Sequence, residues 1–99
     1  MTKNLQYSAV IADDEPLARD LLTSIVNKTH KLDVIALCKN GREAVDACVN
    51  LSPDIIFLDI QMPGVNGFEV VKALQPEAMP LIIFVTAFDK FAADAFDLH

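Results

Sequence analysis

Short apolar runs alternate with amphipathic segments along this chain. Ser8 to Ala12 is a strand-length apolar run that stops at Asp13 and Asp14. Pro16 suits the first turn of a helix, where its missing N–H would have had no partner. Ala18, Leu21, Leu22, Ile25 and Val26 then recur at helical spacing and predict one buried helical face. Leu32 to Cys38 predicts a second strand, punctuated by Asn40-Gly41. Ala44, Ala47, Cys48 and Leu51 form a second helical stripe, broken by Ser52-Pro53-Asp54. Ile55 to Leu58 is a third, wholly apolar strand. Pro63, Gly64, Asn66 and Gly67 mark a long loop, and Val70, Val71 and Leu74 a short third helix that closes before Pro76 and Pro80. Leu81 to Thr86 reads as a fourth strand. Phe88, Phe91, Ala92, Ala95 and Phe96 repeat at helical spacing, predicting a fourth helix that starts near Asp89 or Lys90, with Asp89 as its N-cap.

Strand and helix therefore alternate four times. Strands that are continuously apolar belong in a sheet covered on both faces, and right-handed crossovers make that sheet parallel. The expected fold class is α/β, a doubly wound parallel sheet forming one domain over residues 1–99. In such sheets ligands bind beyond the carboxyl ends of the strands. That rule selects Asp13 and Asp14 after the first strand, Asp59 after the third and Thr86 at the end of the fourth.

Three carboxylates gathered on one sheet edge repel one another, and burial sharpens the repulsion. A hard divalent cation relieves it, and Mg²⁺ favours one or two carboxylates together with phosphate oxygens. A carboxylate is also a nucleophile towards phosphoryl groups, and a Thr hydroxyl can hydrogen-bond a phosphate oxygen. Each residue also has a plainer use. Asp13 or Asp14 could cap the following helix, Asp59 could open a turn, and Thr86 could simply end a strand.

Charge narrows the picture further. Lys and Arg number 8 against 14 Asp and Glu, a net charge of -6. Such a surface lacks the clustered cations needed to grip nucleic acid or an anionic membrane. It suits a divalent cation or a basic protein partner. Cys38 and Cys48 match no zinc or redox spacing and read as buried hydrophobes in a reducing compartment. No apolar run is long enough to cross a bilayer, and the N-terminus is no signal peptide, so a cytoplasmic location is expected. His30 and His99 have no partner at metal spacing.

The segments Val10-Ile11-Ala12-Asp13-Asp14-Glu15-Pro16, Pro53-Asp54-Ile55-Ile56-Phe57-Leu58-Asp59-Ile60-Gln61-Met62-Pro63, Asn66-Gly67 and Phe84-Val85-Thr86-Ala87 occur in that order across nearly the whole chain. Together they resemble the receiver domain of two-component response regulators. Glu15-Pro16-Leu17-Ala18-Arg19 and Thr86-Ala87-Phe88-Asp89 resemble its LytR/AlgR-like subtype. The resemblance implies a flavodoxin-like receiver fold with strand order 2-1-3-4 and a signalling switch rather than a metabolic enzyme. It implies Asp59 as phosphoacceptor, and Mg²⁺ held by Asp14, Asp13, Asp59 and the backbone carbonyl of Gln61. Thr86 would move to hold the phosphate, with Ala87 leaving room at the pocket mouth. A histidine kinase or a small acyl phosphate would supply the phosphoryl group. A separate DNA-binding domain of LytTR type, on this chain or a partner, would act in transcription regulation.

The sequence also departs from the family. Receivers carry a Lys at the end of a fifth strand, and beyond Thr86 only Lys90 is present, at the predicted helix start. The fifth strand and fifth helix have no counterpart, so the domain is expected to be incomplete at its C-terminus. The fourth strand would then be a bare edge, inviting homodimerisation or a domain swap. An alternative reading is a non-phosphorylated receiver-like interaction module. A haloacid dehalogenase-type phosphatase needs a second Asp where Gln61 stands, and no glycine-rich nucleotide loop follows the first strand.

Overall fold

The computed structural model describes residues 6–85. Thr86, Ala87, Lys90, His99 and the predicted fourth helix with its Phe88, Phe91 and Phe96 stripe lie outside them. Four strands, β1 (Tyr7–Ala12), β2 (Leu32–Cys38), β3 (Ile55–Asp59) and β4 (Leu81–Val85), alternate with α1 (Pro16–Lys28), α2 (Gly41–Leu51) and α3 (Gly67–Ala73). A single 3-10 turn over Pro76–Ala78 precedes β4. All strand pairings are parallel, in the order β2-β1-β3-β4. This is the flavodoxin-like receiver fold that the alternating pattern and the resemblance predict.

The core explains the order. Val10 and Ala12 of β1, Ile56 and Leu58 of β3, Ala44, Ala47 and Cys48 of α2, and Val70 of α3 form one buried cluster. On the opposite sheet face Ala9, Ile11 and Ile55 are buried as well, and α1 contributes Val26. A strand apolar on both faces has to lie centrally, and β1 and β3 do.

The outer elements are less buried. β2, read as a continuous apolar strand, alternates between half-buried and exposed positions before a buried Cys38, while β4, expected at a sheet edge, exposes Leu81, Ile83 and Phe84. Each pairs on one side only among the described residues. The predicted single buried face of α1 also fails in part. Val26 is buried and Ala18 and Leu22 are half-buried, but Leu21 and Ile25 are exposed, as is Leu17. Helix α1 contacts β1 and β2, whereas α2 and α3 pack against each other on the other face. Nothing among the described residues covers the outer flank of α1.

Helix boundaries follow local chemistry. Asn40 caps α2 by accepting the Glu43 N–H at 2.8 Å. Ser52 ends that helix in the left-handed region (φ 47°) just before Pro53. Asn66 and Glu69 cap α3 reciprocally, so the helix begins earlier than its apolar residues indicate. Neither Asp13 nor Asp14 caps α1, whose N-cap is Glu15 and which has no side-chain cap. Capping that helix is therefore not the use of those two residues.

Candidate functional site at the carboxyl edge of the sheet

Strand β1 delivers Asp13 and Asp14 to the carboxyl edge, and β3 delivers Asp59 beside them. One carboxylate oxygen from each of the three lies within 4.8 Å of the others. Asp13 and Asp59 are 1% and 3% exposed, the two buried charged residues of the described fold. Both adopt the same local turn. Asp13 Oδ1 accepts the Glu15 N–H at 2.9 Å, and Asp59 Oδ1 accepts the Gln61 N–H at 3.1 Å. Each carboxylate thus bonds the amide two residues ahead, which Asp favours in turns.

Asp13 is held at further points. Its N–H donates to the Cys38 carbonyl at 3.0 Å, and its carbonyl accepts Arg19 Nη1 at 2.7 Å. Its second carboxylate oxygen, Oδ2, is buried with no partner among the described residues. An unsatisfied buried carboxylate oxygen costs more than one to three kcal/mol if left so, about the desolvation of a charged acceptor. Burial, then the Asp13 charge, raise the Asp59 carboxyl from 3.8 to about 6; the Gln61 N–H works in the opposite direction, and Asp14 adds to the rise. The three carboxylates offer the hard oxygen donors that a cation such as Mg²⁺ prefers, and its charge would offset their repulsion.

The β3–α3 loop closes one side of this acidic corner. Gly67 donates its N–H to the Ile60 carbonyl at 2.9 Å, and a Cβ on Gly67 would sit 2.6 Å from the Asp59 carbonyl oxygen. Gly41 is packed as closely against Val65. A shallow groove bordered by Asp14, Gln61, Met62, Asn66 and Phe68 runs outward from the carboxylates. Phe68 stacks obliquely on Phe84, ring centroids 5.1 Å apart.

The structure therefore brings Asp13, Asp14, Asp59 and Gln61 together. The register pairs Val85 with Asp59, and Thr86, the next residue, lies outside the described residues. Sequence reasoning missed Arg19 and Gly67 as parts of this corner. Gly67 is visible in sequence as a turn signal and within the Asn66-Gly67 motif, but not as a close contact of Asp59, and nothing in the spacing of Arg19 from Asp13 marks their contact. Cys38 and Cys48 are buried and free, and burial pushes the Cys38 thiol up to about 11, in line with inert core residues.

Comparison with known proteins agrees with this geometry. The family model of the response regulator receiver domain matches residues 9–98. An uncharacterised response regulatory protein of Yersinia pestis is 48% identical over 90 residues, covering 91% of this chain and 38% of that protein. The transcriptional regulatory protein BtsR of Escherichia coli K12 is 44% identical, with the same coverages of 91% and 38%. This chain thus spans well under half the length of these relatives. Among solved structures, the response regulator domain of Thermotoga maritima CheB is 28% identical with a TM-score of 0.75, covering 93% of this chain and 72% of that one. The REC domain of AraT from Geobacillus stearothermophilus is 27% identical with a TM-score of 0.74, covering 96% and 77%. The chain belongs to the response regulator receiver domain family.

Proposed function

We propose that this receiver is a phosphorylation switch with Asp59 as its phosphoacceptor. The observation that carries the reading is the acidic corner itself: three carboxylates within 4.8 Å, one oxygen of which is buried without a partner among the described residues. Asp13, Asp14 and Asp59 would hold Mg²⁺, with the Gln61 carbonyl as a further ligand. Bound there, the ion would neutralise charge on the phosphoryl oxygens.

The chain's own part is to present a nucleophile. Asp59 is fixed by the bond from the Gln61 N–H to Oδ1. An ionised Asp59 oxygen forms a bond to phosphorus as the bond from phosphorus to the donor breaks. The donor is a histidine imidazole of a kinase or the acyl oxygen of a small phosphate. The electron pair leaves with the donor, and a histidine donor regains its proton from water. Thr86, next after β4, would then engage the new phosphate and bias two conformations of the domain.

The output is proposed from the relatives. Those named as transcriptional regulators are more than twice as long as this chain, so DNA binding is assigned to a separate domain. The LytR/AlgR-like subtype rests on Glu15 to Arg19 and Thr86 to Asp89, while several of the relatives carry the name BtsR. A cytoplasmic location follows from a kinase-fed switch, and no described helix is long and apolar enough to cross a membrane. The outer edge of β4, unpaired among the described residues, is where a second copy would add a strand.

Intact-mass spectrometry after incubation with Mg²⁺ and acetyl phosphate tests the reading. One phosphoryl adduct is expected, dependent on Mg²⁺ and absent in Asp59→Asn. A folded parent chain that takes up no phosphoryl group would instead favour the non-phosphorylated interaction module.

A further inference from the structure

We propose that Arg19 is a positioning residue for the cation site, acting through the backbone of Asp13. This inference rests on the receiver reading and adds a residue to its machinery. Arg19 Nη1 donates to the Asp13 carbonyl oxygen at 2.7 Å, a short, charge-assisted bond. That oxygen belongs to the planar peptide unit joining Asp13 to Asp14. Fixing it fixes the plane from which both side chains depart. A single guanidinium thereby restrains two of the three carboxylate-bearing residues.

The rest of the loop makes this restraint matter. Asp13 is tied by its N–H to Cys38, by its carbonyl to Arg19 and by Oδ1 to the Glu15 N–H. Those ties leave Oδ2, which is buried without a partner among the described residues, as the carboxylate oxygen available to a ligand. Helix α1 begins with no side-chain cap, so no such cap locks the loop to the helix. Arg19 supplies a lock from one turn inside. It is itself anchored, its N–H on the Glu15 carbonyl at 3.0 Å and its carbonyl accepting Thr23 Oγ1 at 2.7 Å. Among the described hydrogen bonds its guanidinium goes to a backbone oxygen and not to a carboxylate, which keeps the carboxylates available.

Charge and position make opposite demands, and this gives the inference a sign. A guanidinium near a cation site repels the cation, so removing Arg19 for its charge alone would tighten Mg²⁺ binding. Removing a positioning bond would loosen it.

Isothermal titration calorimetry with Mg²⁺ on the parent chain, Arg19→Met, Arg19→Lys and Arg42→Met reads that sign. Arg42 lies exposed on α2 and controls for loss of one charge. Arg19→Met is expected to weaken Mg²⁺ binding roughly tenfold, in the range seen when groups orienting a metal ligand are lost. Arg42→Met is expected to bind as the parent does or more tightly. Arg19→Lys keeps the charge with a differently placed single donor and is expected to fall between Met and the parent, about two- to threefold below the parent. Thermal melts without Mg²⁺ establish that each variant is folded. Should Arg19→Met not fold, Arg19→Lys carries the test alone. Parent-like or tighter binding by folded Arg19→Met, or by Arg19→Lys in its place, overturns the inference and leaves the receiver reading intact. A parent chain that binds no Mg²⁺ overturns both.

Discussion

At the amino edge of the sheet, Asp54 is thoroughly engaged. Its Oδ2 accepts the Ser8 N–H at 2.8 Å and the Ser8 hydroxyl at 3.1 Å, its N–H is within bonding distance of the Ser8 carbonyl and hydroxyl, and its carbonyl accepts the Leu81 N–H. At the carboxyl edge, Asp13 and Asp59 are buried close to a third carboxylate, and Asp13 Oδ2 has no partner among the described residues. The same side chain thus serves the fold at one end and strains it at the other. Asp54 clasps β1, β3 and β4 together where the loops need no chemistry. The carboxyl edge gathers negative charge that a cation would offset. Marginal stability makes that gathering of charge tolerable only where it does something.

Changes at the acidic edge should have the largest effects on ligand binding. Asp14→Ala, or Asp13→Asn, is expected to lower Mg²⁺ affinity about a hundredfold or more, since each would remove one of the three carboxylates proposed to hold the ion. Calorimetry checks this, and an unchanged affinity would separate the acidic corner from metal binding. Next comes Gly67→Ala. Its Cβ would meet the Asp59 carbonyl oxygen at 2.6 Å, backbone against backbone, so the β3–α3 loop must move. A loss of roughly 2 kcal/mol in denaturant unfolding is expected, together with slower phosphoryl uptake.

The amino edge should respond in the opposite sense. Asp54→Ala is expected to cost about 1 kcal/mol, because its bonds are exposed, and to leave the rate of phosphoryl uptake unchanged. A strong effect on uptake would mean that the two edges are coupled.

The smallest effect expected is that of pH on the unliganded fold. Asp59 has its carboxyl raised from 3.8 to about 6, so between those values the folded state binds more protons than the unfolded one. The contribution of Asp59 to stability is therefore full below pH 3.8 and is lost as pH rises through about 6. At neutral pH ionised Asp59 is a liability of roughly 1 kcal/mol, less than the full shift would give because water reaches the mouth of the site. Asp59→Asn should remove that dependence in urea melts across the acid range.

Much of this layout can be read in the amino-acid order. Apolar runs in β1 and β3 define the central strands, and the strand-end rule brings Asp13, Asp14 and Asp59 to one edge. Less legible was how far burial extends. The stripe on α1 looks uniformly apolar, yet Leu21 and Ile25 are exposed, because periodicity states which residues share a face and not what covers it. The same holds for β2, whose outer positions depend on neighbours in space. Arg19 was illegible for a different reason. Its bond to the Asp13 carbonyl links α1 back across the turn that follows β1, a contact that no spacing rule encodes. Gly67 could be read as a turn residue but not as the residue whose missing side chain lets the loop press against Asp59.

The central claim is that a cation offsets the negative charge gathered at the carboxyl edge. Thermal melts at neutral pH, with and without millimolar Mg²⁺, on the parent chain and Asp59→Asn test it most directly. The account predicts that Asp59→Asn is the more stable without Mg²⁺, and that Mg²⁺ raises the parent's melting temperature by more, narrowing or closing the gap. A parent already as stable as Asp59→Asn, with no response to Mg²⁺, would contradict it.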